Sequence, residues 1–579
     1  MRHDFRRPLV AITAAVVMAL AAPATWADRE GDQTDRIEPI GGLSFKDEVE
    51  VTLVNIIAHV TDGKGHPVTD LEADDFRVLQ DGVARPITNF ELFTREMYQH
   101  TGAADGERVT PPAVDGVDAV EDPDLRPVWI TIYVDNENLH PFARNRVFSQ
   151  ARQFIRANLR PPVQMMVASY ERSLKVVQPF TDEPSQINTA LDSMRQHTGG
   201  WQNRESARRD IIEQMARSQQ NRGAHPSQNR RSMLAAVTSF AEEEINDLDF
   251  TLSALREMVT MLSGLPGKKA ILYVANGLPM SPGLGLFYEL ANTYNEPSAL
   301  TYAMRYNQSR DFESLIAAAN AQDVTFYTIG AGGLEHVGIS SAEFAAPRDT
   351  IAATIGSSNY LDSLRLMADA TGGVAIVGTN DFRGGLQQVE QDLFTYYSLG
   401  YPLQSSGQDT VHRIEVDVPE HPEYSVRYRR RFVEKSLESK IRDAVLTGLM
   451  FPVEENPMDV VLDVDRPAPA SQHRWTVPVE LTFPLEKVAL IPDGDDYVGR
   501  LVLFIAARDT DGKQSDLVRQ EHDVRVPAEE YDEARTQRFA IDTRLLMEKG
   551  RYRIAVGLMD QVTRQASYAI TEARVGLEE

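Results

Sequence analysis

The feature that most constrains the fold is an apolar run that ends in a cluster of polar residues. Val128 to Val134 is almost continuously apolar or β-branched, and positions 135–138 then read Asp-Asn-Glu-Asn. Such a run is typical of a strand that is buried on both faces of a parallel sheet. Open α/β sheets place their ligand sites at the carboxyl ends of their strands. We therefore predict a buried strand whose polar tip is a candidate functional site.

From residue 126 to residue 432 the pattern alternates between apolar strands and amphipathic helices. This alternation predicts an α/β domain with a parallel sheet and helices packed against it. Besides the first strand, the apolar runs predict strands at Val163–Tyr170, Leu174–Phe180, Lys268–Ala275, Val324–Ile329 and Val374–Val377.

One part of this domain has a different periodicity. Apolar residues recur at alternating steps of four and three, which is a heptad-like spacing, at Ala241, Ile245, Leu248, Leu252, Leu255, Val259 and Leu262. A helix from Arg231 to Leu262 would be about 48 Å long at 1.5 Å per residue. We predict a helical hairpin inserted at about residues 200–250 and projecting from the sheet. The alternative is one long core helix that is preceded by a loop.

The same region is locally basic. Between Trp201 and Arg231 there are seven arginines and only three acidic residues, Glu205, Asp210 and Glu213. An island of this charge could dock an acidic partner or lipid headgroups. The alternative is a helix face that is simply solvated.

The rest of the chain divides into segments of different composition. Short alternating strands with Asp-Gly turns predict β structure on either side of the α/β domain. The segments are a polar leader (28–45), a small β unit (46–95), a polar linker (96–125), a helical connector (433–458) and an antiparallel β-sandwich of immunoglobulin size (459–579).

The N-terminus and the composition point to export. Arg2, Arg6 and Arg7 precede an apolar core and a small-residue end at 25–27, which is the pattern of a signal peptide (1–27). There is no cysteine, so disulfides and thiolate metal sites are excluded. The formal charge of −26 argues against nucleic-acid binding. We expect an exported chain, periplasmic or extracellular, with no transmembrane segment after the signal peptide.

Several stretches in a fixed order resemble the von Willebrand factor A-related family of exported bacterial proteins. The stretches include VTDGKGHPVTDLEADDFRVLQDGVARPITNF, VWITIYVDNENL, LSGLPGKKAILYVANGLP, MADATGGVAIVGTNDF and YYSLGYPL. Together they cover about residues 48–432. The resemblance implies a Rossmann-like, von Willebrand factor A-type sheet with helices on both faces, and a binding role rather than catalysis.

The resemblance also implies a metal-ion-dependent adhesion site, in which oxygen ligands hold a divalent cation. Asp135 matches its first position, Glu137 and Leu139 replace the two serines of the motif, Thr198 matches the threonine loop, and Asn276 replaces the distal aspartate. Asp135, Glu137, Thr198 and Asn276 are therefore candidate ligands of Mg²⁺ or Ca²⁺. The alternative is that the polar cluster caps the helix that follows it.

These observations leave three functions open. The first is a non-enzymatic protein-interaction module, for adhesion or assembly, that uses the degenerate metal site. The second is a structural scaffold without metal, whose contacts are made by the helical hairpin or the C-terminal sandwich. The third is a phosphatase-like hydrolase with Asp135 as nucleophile, although the acidic pair that such an enzyme needs is missing. We expect a protein partner and no catalytic residues.

Overall fold

The computed structural model describes residues 51–100, 127–197, 199–220, 226–334, 350–453, 455–471 and 473–577. The predicted signal peptide and polar leader lie outside the described residues, as does most of the predicted linker. Within the described ranges, no helix is both long enough and apolar enough to cross a membrane.

The first described segment forms short strands that are followed by one helical turn. Asp81 and Gly82 have positive φ angles of 52° and 79°, the conformation that a tight two-residue hairpin turn requires. The elements are β1 (Val51–Thr61), β2 (Arg77–Gln80), β3 (Val83–Arg85), β4 (Asn89–Phe93) and α1 (Arg95–His100).

The predicted apolar strand lies inside a six-stranded mixed sheet. Its strands are β5 (Val128–Asp135), β6 (Val163–Tyr170), β7 (Leu174–Thr181), β8 (Lys268–Ala275), β9 (Val324–Gly330) and β10 (Ala375–Ile376). The order is β10-β9-β8-β5-β6-β7, and all neighbours are parallel except β6 and β7. The prediction of a wholly parallel sheet is wrong for β7. Only residues 171–173 join it to β6, too few for a parallel crossover.

Helices cover both faces of this sheet. Apolar residues of α2, α3 and α10 form the core on one face, and those of α5, α8 and α9 form the core on the other. The helices are α2 (Pro141–Asn158), α3 (Pro184–Ser193), α4 (Trp201–Gln220), α5 (Pro226–Met261), α6 (Leu284–Tyr294), α7 (Ser298–Ala303), α8 (Ser309–Ala321), α9 (Thr350–Thr371) and α10 (Arg383–Phe394).

The predicted hairpin consists of α4 and α5. The second helix starts at Pro226, earlier than the predicted Arg231, and its C-terminal half packs on the sheet. Its N-terminal half joins α4, α6 and α7 in a small separate core that includes Met215, Val237 and Phe287. The hairpin therefore lies against neighbouring helices and does not project as an isolated arm.

The chain then returns to the strands with which it began. The later strands are β11 (Tyr396–Gln404), β12 (Thr410–Asp417), β13 (Ser425–Tyr428) and β14 (Arg431–Glu434). They complete two antiparallel sheets, β13-β1-β11-β4 and β14-β12-β2-β3, whose facing side chains share one core. Strand pairing therefore joins the segment predicted as a separate β unit to the end of the predicted α/β domain.

The last part of the chain is a second sandwich with a helix on its outer face. Ile441 and Val445 of that helix pack against Phe504. The elements are α11 (Leu437–Gly448), β15 (Val461–Val464), β16 (Ala468–Ser471), β17 (Arg474–Pro484), β18 (Ile491–Asp493), β19 (Asp496–Asp509), β20 (Val518–Pro527), α12 (Tyr531–Ala534), β21 (Arg538–Met547), β22 (Gly550–Asp560) and β23 (Ala566–Val575).

A buried ion pair joins the first sandwich to the α/β domain. Arg427 of β13 donates two hydrogen bonds, 2.7 and 2.6 Å long, to the carboxylate of Asp392 in α10. The Asp392 side chain is only 4% exposed. Because the carboxylate is removed from water, its stability in this position depends on the guanidinium.

We expect the Asp392→Ala substitution to lower the free energy of unfolding by about 3 kcal/mol, because it leaves the largely buried Arg427 without its carboxylate partner. Urea denaturation followed by circular dichroism measures the change. Asp362→Ala, which removes an exposed partner of Arg365, is the matched control and should leave the midpoint nearly unchanged. Equal effects of the two substitutions would contradict a specific role for the Arg427–Asp392 pair.

Candidate functional site

The candidate ligands from strand ends do meet at one edge of the central sheet. Asp135 is the last residue of β5, Glu137 follows in a short 3₁₀ turn, and Asn276 follows β8. The backbone N–H of Asn276 donates a 2.9 Å hydrogen bond to the carbonyl of Asn138, which joins the two strand ends. Thr198 lies outside the described residues.

Asp135 is completely buried, and protein groups donate hydrogen bonds to both of its carboxylate oxygens. Its carboxylate accepts hydrogen bonds from the Tyr273 hydroxyl at 2.5 Å, and from the backbone N–H and side-chain amide of Asn138 at 3.1 and 2.9 Å. Burial raises the pKa of Asp135, whereas the bonds from Tyr273 and Asn138 act to lower that pKa. The carboxylate thus caps the short 3₁₀ turn after β5. The alternative interpretation, that the polar cluster caps the following helix, does not hold for α2, because the N-cap of that helix is His140.

Glu137 joins the strand end to the helical hairpin. One carboxylate oxygen accepts a 2.9 Å hydrogen bond from the backbone N–H of Gly200, immediately before α4. The other oxygen is 4.0 Å from the Arg172 guanidinium. A side chain at Gly199 would collide with the backbone, because its Cβ would lie 1.6 Å from the carbonyl oxygen of Asn136. The glycines therefore permit the close approach of the hairpin to β5.

Arg204 of α4 is the residue of this edge that the sequence analysis missed. Its guanidinium donates to the side-chain oxygen of Asn138 at 2.6 Å and to Asp247 of α5 at 3.1 Å. Only 14% of the side chain is exposed. It is one of the arginines of the basic island, and nothing in that run distinguishes it from the others. We call Asp135, Asn138, Tyr273, Arg204 and Asp247 the carboxyl-edge network.

A second arginine, also not predicted, fixes the neighbouring loop. Arg144 of α2 is fully buried and donates hydrogen bonds to the side chain of Asn136 at 2.9 Å and to the carbonyls of His197 at 2.9 Å and Arg195 at 2.8 Å. Burial lowers the pKa of Arg144, and Glu171 counteracts that effect. This arginine holds the loop that leads to the hairpin against the strand end.

The described residues do not fit a divalent cation. Both oxygens of Asp135 already accept hydrogen bonds, and Leu139 is a fully buried apolar residue. Arg204 brings a permanent positive charge to the same edge, which repels a metal ion. Across the described ranges, no group of three or more His, Asp or Glu side chains is placed to hold a metal. Here the hydrogen bonds from Tyr273 and Asn138 and the positive charge of Arg204 stabilise the Asp135 carboxylate, as a cation would in a metal site.

An open cleft of about 460 Å³ lies beside the carboxyl-edge network. The hairpin helices form one wall, and the loops after β5 and β6 form the other. Its lining is Glu137, Tyr170, Arg172, Gly200, Asn203, Arg204, Ala207, Phe240, Glu243, Glu244, Asp247, Phe250 and Thr251. Phe250 is 65% exposed, which is high for an aromatic residue. We call this space the hairpin cleft.

No protein-family model matches the chain, and no curated protein sequence matches it either. Solved structures with partial similarity include BatB from Bacteroides thetaiotaomicron, at 11% identity over 46% of this chain and 98% of that one, with a TM-score of 0.22. Another is the vWF domain of the type V pili tip protein Mfa5 from Porphyromonas gingivalis, at 11% identity over 46% and 97%, with a TM-score of 0.23.

A third is the D319A mutant of the PilB minor pilin from Streptococcus sanguinis, at 11% identity over 48% of this chain and 64% of that one, with a TM-score of 0.24. TM-scores this low say nothing about function. The α/β class of the central domain is shown by its own six-stranded sheet and the helices that cover it.

We expect the Tyr273→Phe substitution to lower the free energy of unfolding by about 2 kcal/mol at pH 7, because it removes a hydrogen bond to a buried carboxylate. The folded pKa of Asp135 is raised, so its charge destabilises the fold as the pH rises through that pKa, and Tyr273 offsets part of this cost. Below the ordinary pKa of 3.8 the carboxyl is neutral and the loss should be smaller.

Denaturation at several pH values measures this difference. The matched control is Tyr327→Phe on the neighbouring strand β9, because the Tyr327 hydroxyl is buried without a hydrogen-bond partner among the described residues. A Tyr273→Phe effect that is independent of pH would show that the phenol does not interact with an ionised Asp135.

We expect no change in melting temperature when Mg²⁺, Ca²⁺, Mn²⁺ or EDTA is added. The reason is that Asn138 already bonds to Asp135, and Arg204 already supplies a positive charge at this edge of the sheet. A cation at a hundred times its dissociation constant would add about 2.7 kcal/mol, which corresponds to several degrees. Thermal unfolding of the full chain tests this directly. A rise of several degrees with any of the cations would restore the metal site that the sequence predicted.

Proposed function

We propose that this chain is an exported, non-enzymatic protein-interaction module that binds a protein partner through the hairpin cleft and does so without a metal. The observation that supports the proposal is the cleft itself. It opens at the carboxyl edge of the sheet, where α/β domains bind their ligands, and it carries an exposed aromatic residue on its wall.

The sequence analysis offered two alternative surfaces for contacts with a partner. One was the carboxyl edge of the sheet, and the other was the helical hairpin. Glu137 of the sheet edge and Arg204 and Asp247 of the hairpin line the same cleft. A partner that enters it would touch both elements at once, so the hairpin acts as one half of the binding surface.

The state of Asp135 argues against the phosphatase-like alternative. A nucleophilic carboxylate needs an oxygen that is open to the substrate. Asp135 is 0% exposed, and its oxygens are bonded to Tyr273 and Asn138. These contacts support a structural role for Asp135 and a binding role for the surface above it.

Site-specific crosslinking tests the proposal and identifies the partner. A photoreactive benzoylphenylalanine in place of Phe250, in the producing cell, should give a discrete crosslinked product, because this side chain lines the cleft. The same replacement of Phe142 is the matched control, since Phe142 is 82% exposed but lies outside the cleft lining. Products from Phe142 alone, or from neither position, would show that the cleft is not the interface.

A further inference from the structure

The wall that α5 presents to the hairpin cleft is both acidic and aromatic. Phe240, Glu243, Glu244, Asp247, Phe250 and Thr251 line the cleft and recur at steps of three and four residues, so they form one stripe along the helix. This stripe runs beside the apolar positions that pack on the sheet, such as Leu248 and Leu252. The helix therefore has one face for the core and a second face for the cleft.

The carboxylates of this stripe differ in their exposure and in the hydrogen bonds and ion pairs that they form with the rest of the protein. Glu244 is buried and accepts hydrogen bonds from the backbone of Gly283 and from the Tyr360 hydroxyl. Asp247 binds Arg204 through one oxygen but is 50% exposed. Glu243 is exposed and makes no ion pair or hydrogen bond within the described part of the chain. The unsatisfied negative charge of the cleft thus lies at Glu243 and Asp247.

Glu243 and Asp247 are also one helical turn apart. Like charges at this spacing repel each other and destabilise a helix by about 0.2–0.5 kcal/mol per pair. Arg204 forms an ion pair with Asp247, and within the described residues it forms none with Glu243. The other cation of the lining, Arg172, is 90% exposed, and its one ion pair with a described residue is the 4.0 Å contact with Glu137. A cation placed between Glu243 and Asp247 would relieve their repulsion.

The aromatic residues of the cleft indicate which kind of cationic group would fit there. Phe250 and Tyr170 line the same cleft, and their rings offer an apolar surface beside the carboxylates. A long aliphatic stem that ends in a planar charged group would match both features, because guanidinium stacks on aromatic rings and pairs with carboxylates in a fork. Arginine fits this description better than lysine.

We propose that the hairpin cleft binds an arginine side chain of the partner protein, with its guanidinium between Glu243 and Asp247 and its stem against Phe250. This inference rests on the proposed function, because it names the partner chemistry for the same cleft. The partner group would then be a cation, whereas the open metal position of a metal-ion-dependent adhesion site binds an anionic carboxylate.

Selection from a random decapeptide phage library on the immobilised full chain tests the proposal. Peptides that are retained by the wild-type chain and lost on the Glu243→Lys variant should be rich in arginine. A synthetic copy of such a peptide should bind about tenfold more weakly to Glu243→Lys, because one charged hydrogen bond is replaced by repulsion. Replacing the peptide arginine by lysine should weaken binding less than replacing it by glutamate.

Glu242→Lys is the matched control, because it makes the same charge change at the next exposed position of α5, outside the cleft lining. It should leave peptide affinity unchanged, and neither variant should melt below the wild-type temperature. Selected peptides that lack arginine but still require Phe250, shown by Phe250→Ser, would overturn the arginine inference and leave the proposed function standing. Peptides that depend on neither Glu243 nor Phe250 would overturn both.

Discussion

The burial of one carboxylate determines the arrangement at the carboxyl edge of the central sheet. Asp135 ends a strand in which seven of eight residues are buried, and its side chain has no contact with solvent. A buried charge is costly unless hydrogen bonds and opposite charge surround it. Here Tyr273 and Asn138 supply the hydrogen bonds, and Arg204 supplies the charge from one residue further away. Arg204 belongs to the first helix of the hairpin, so this network ties that helix to the sheet edge in addition to the apolar packing of α5.

The strands and the location of the site could be predicted from the sequence for a simple physical reason. An apolar run that ends in polar residues describes a buried strand and its exposed end without reference to the rest of the chain. The polar residues from Asp135 to Asn138 could therefore be placed at the carboxyl edge of the sheet, whereas Asn276 was expected beside them because of the resemblance to the von Willebrand factor A-related family. β6 and β8 have the bounds that the sequence predicted.

The parts that could not be predicted depend on contacts between distant segments. Arg204 is one of seven arginines in its segment, and only the rotation of α4 against the sheet decides which of them points inward. The same holds for Arg144, which reads as an ordinary polar position of an amphipathic helix. The pairing of β1 with β11 has no local signal either, because neither strand carries information about the partner that will lie beside it.

That pairing has a consequence for how the chain reaches its final form. Val51 lies opposite Gln404, so the first strand of the sandwich is made long before its neighbour exists. During synthesis, the backbone groups of β1 that bond to β11 stay unpaired until the α/β domain and β11 have been synthesised. Folding of that domain brings its two ends together and so removes most of the entropy cost of closing the long loop. The first sandwich is therefore completed only after the α/β domain between its strands has folded.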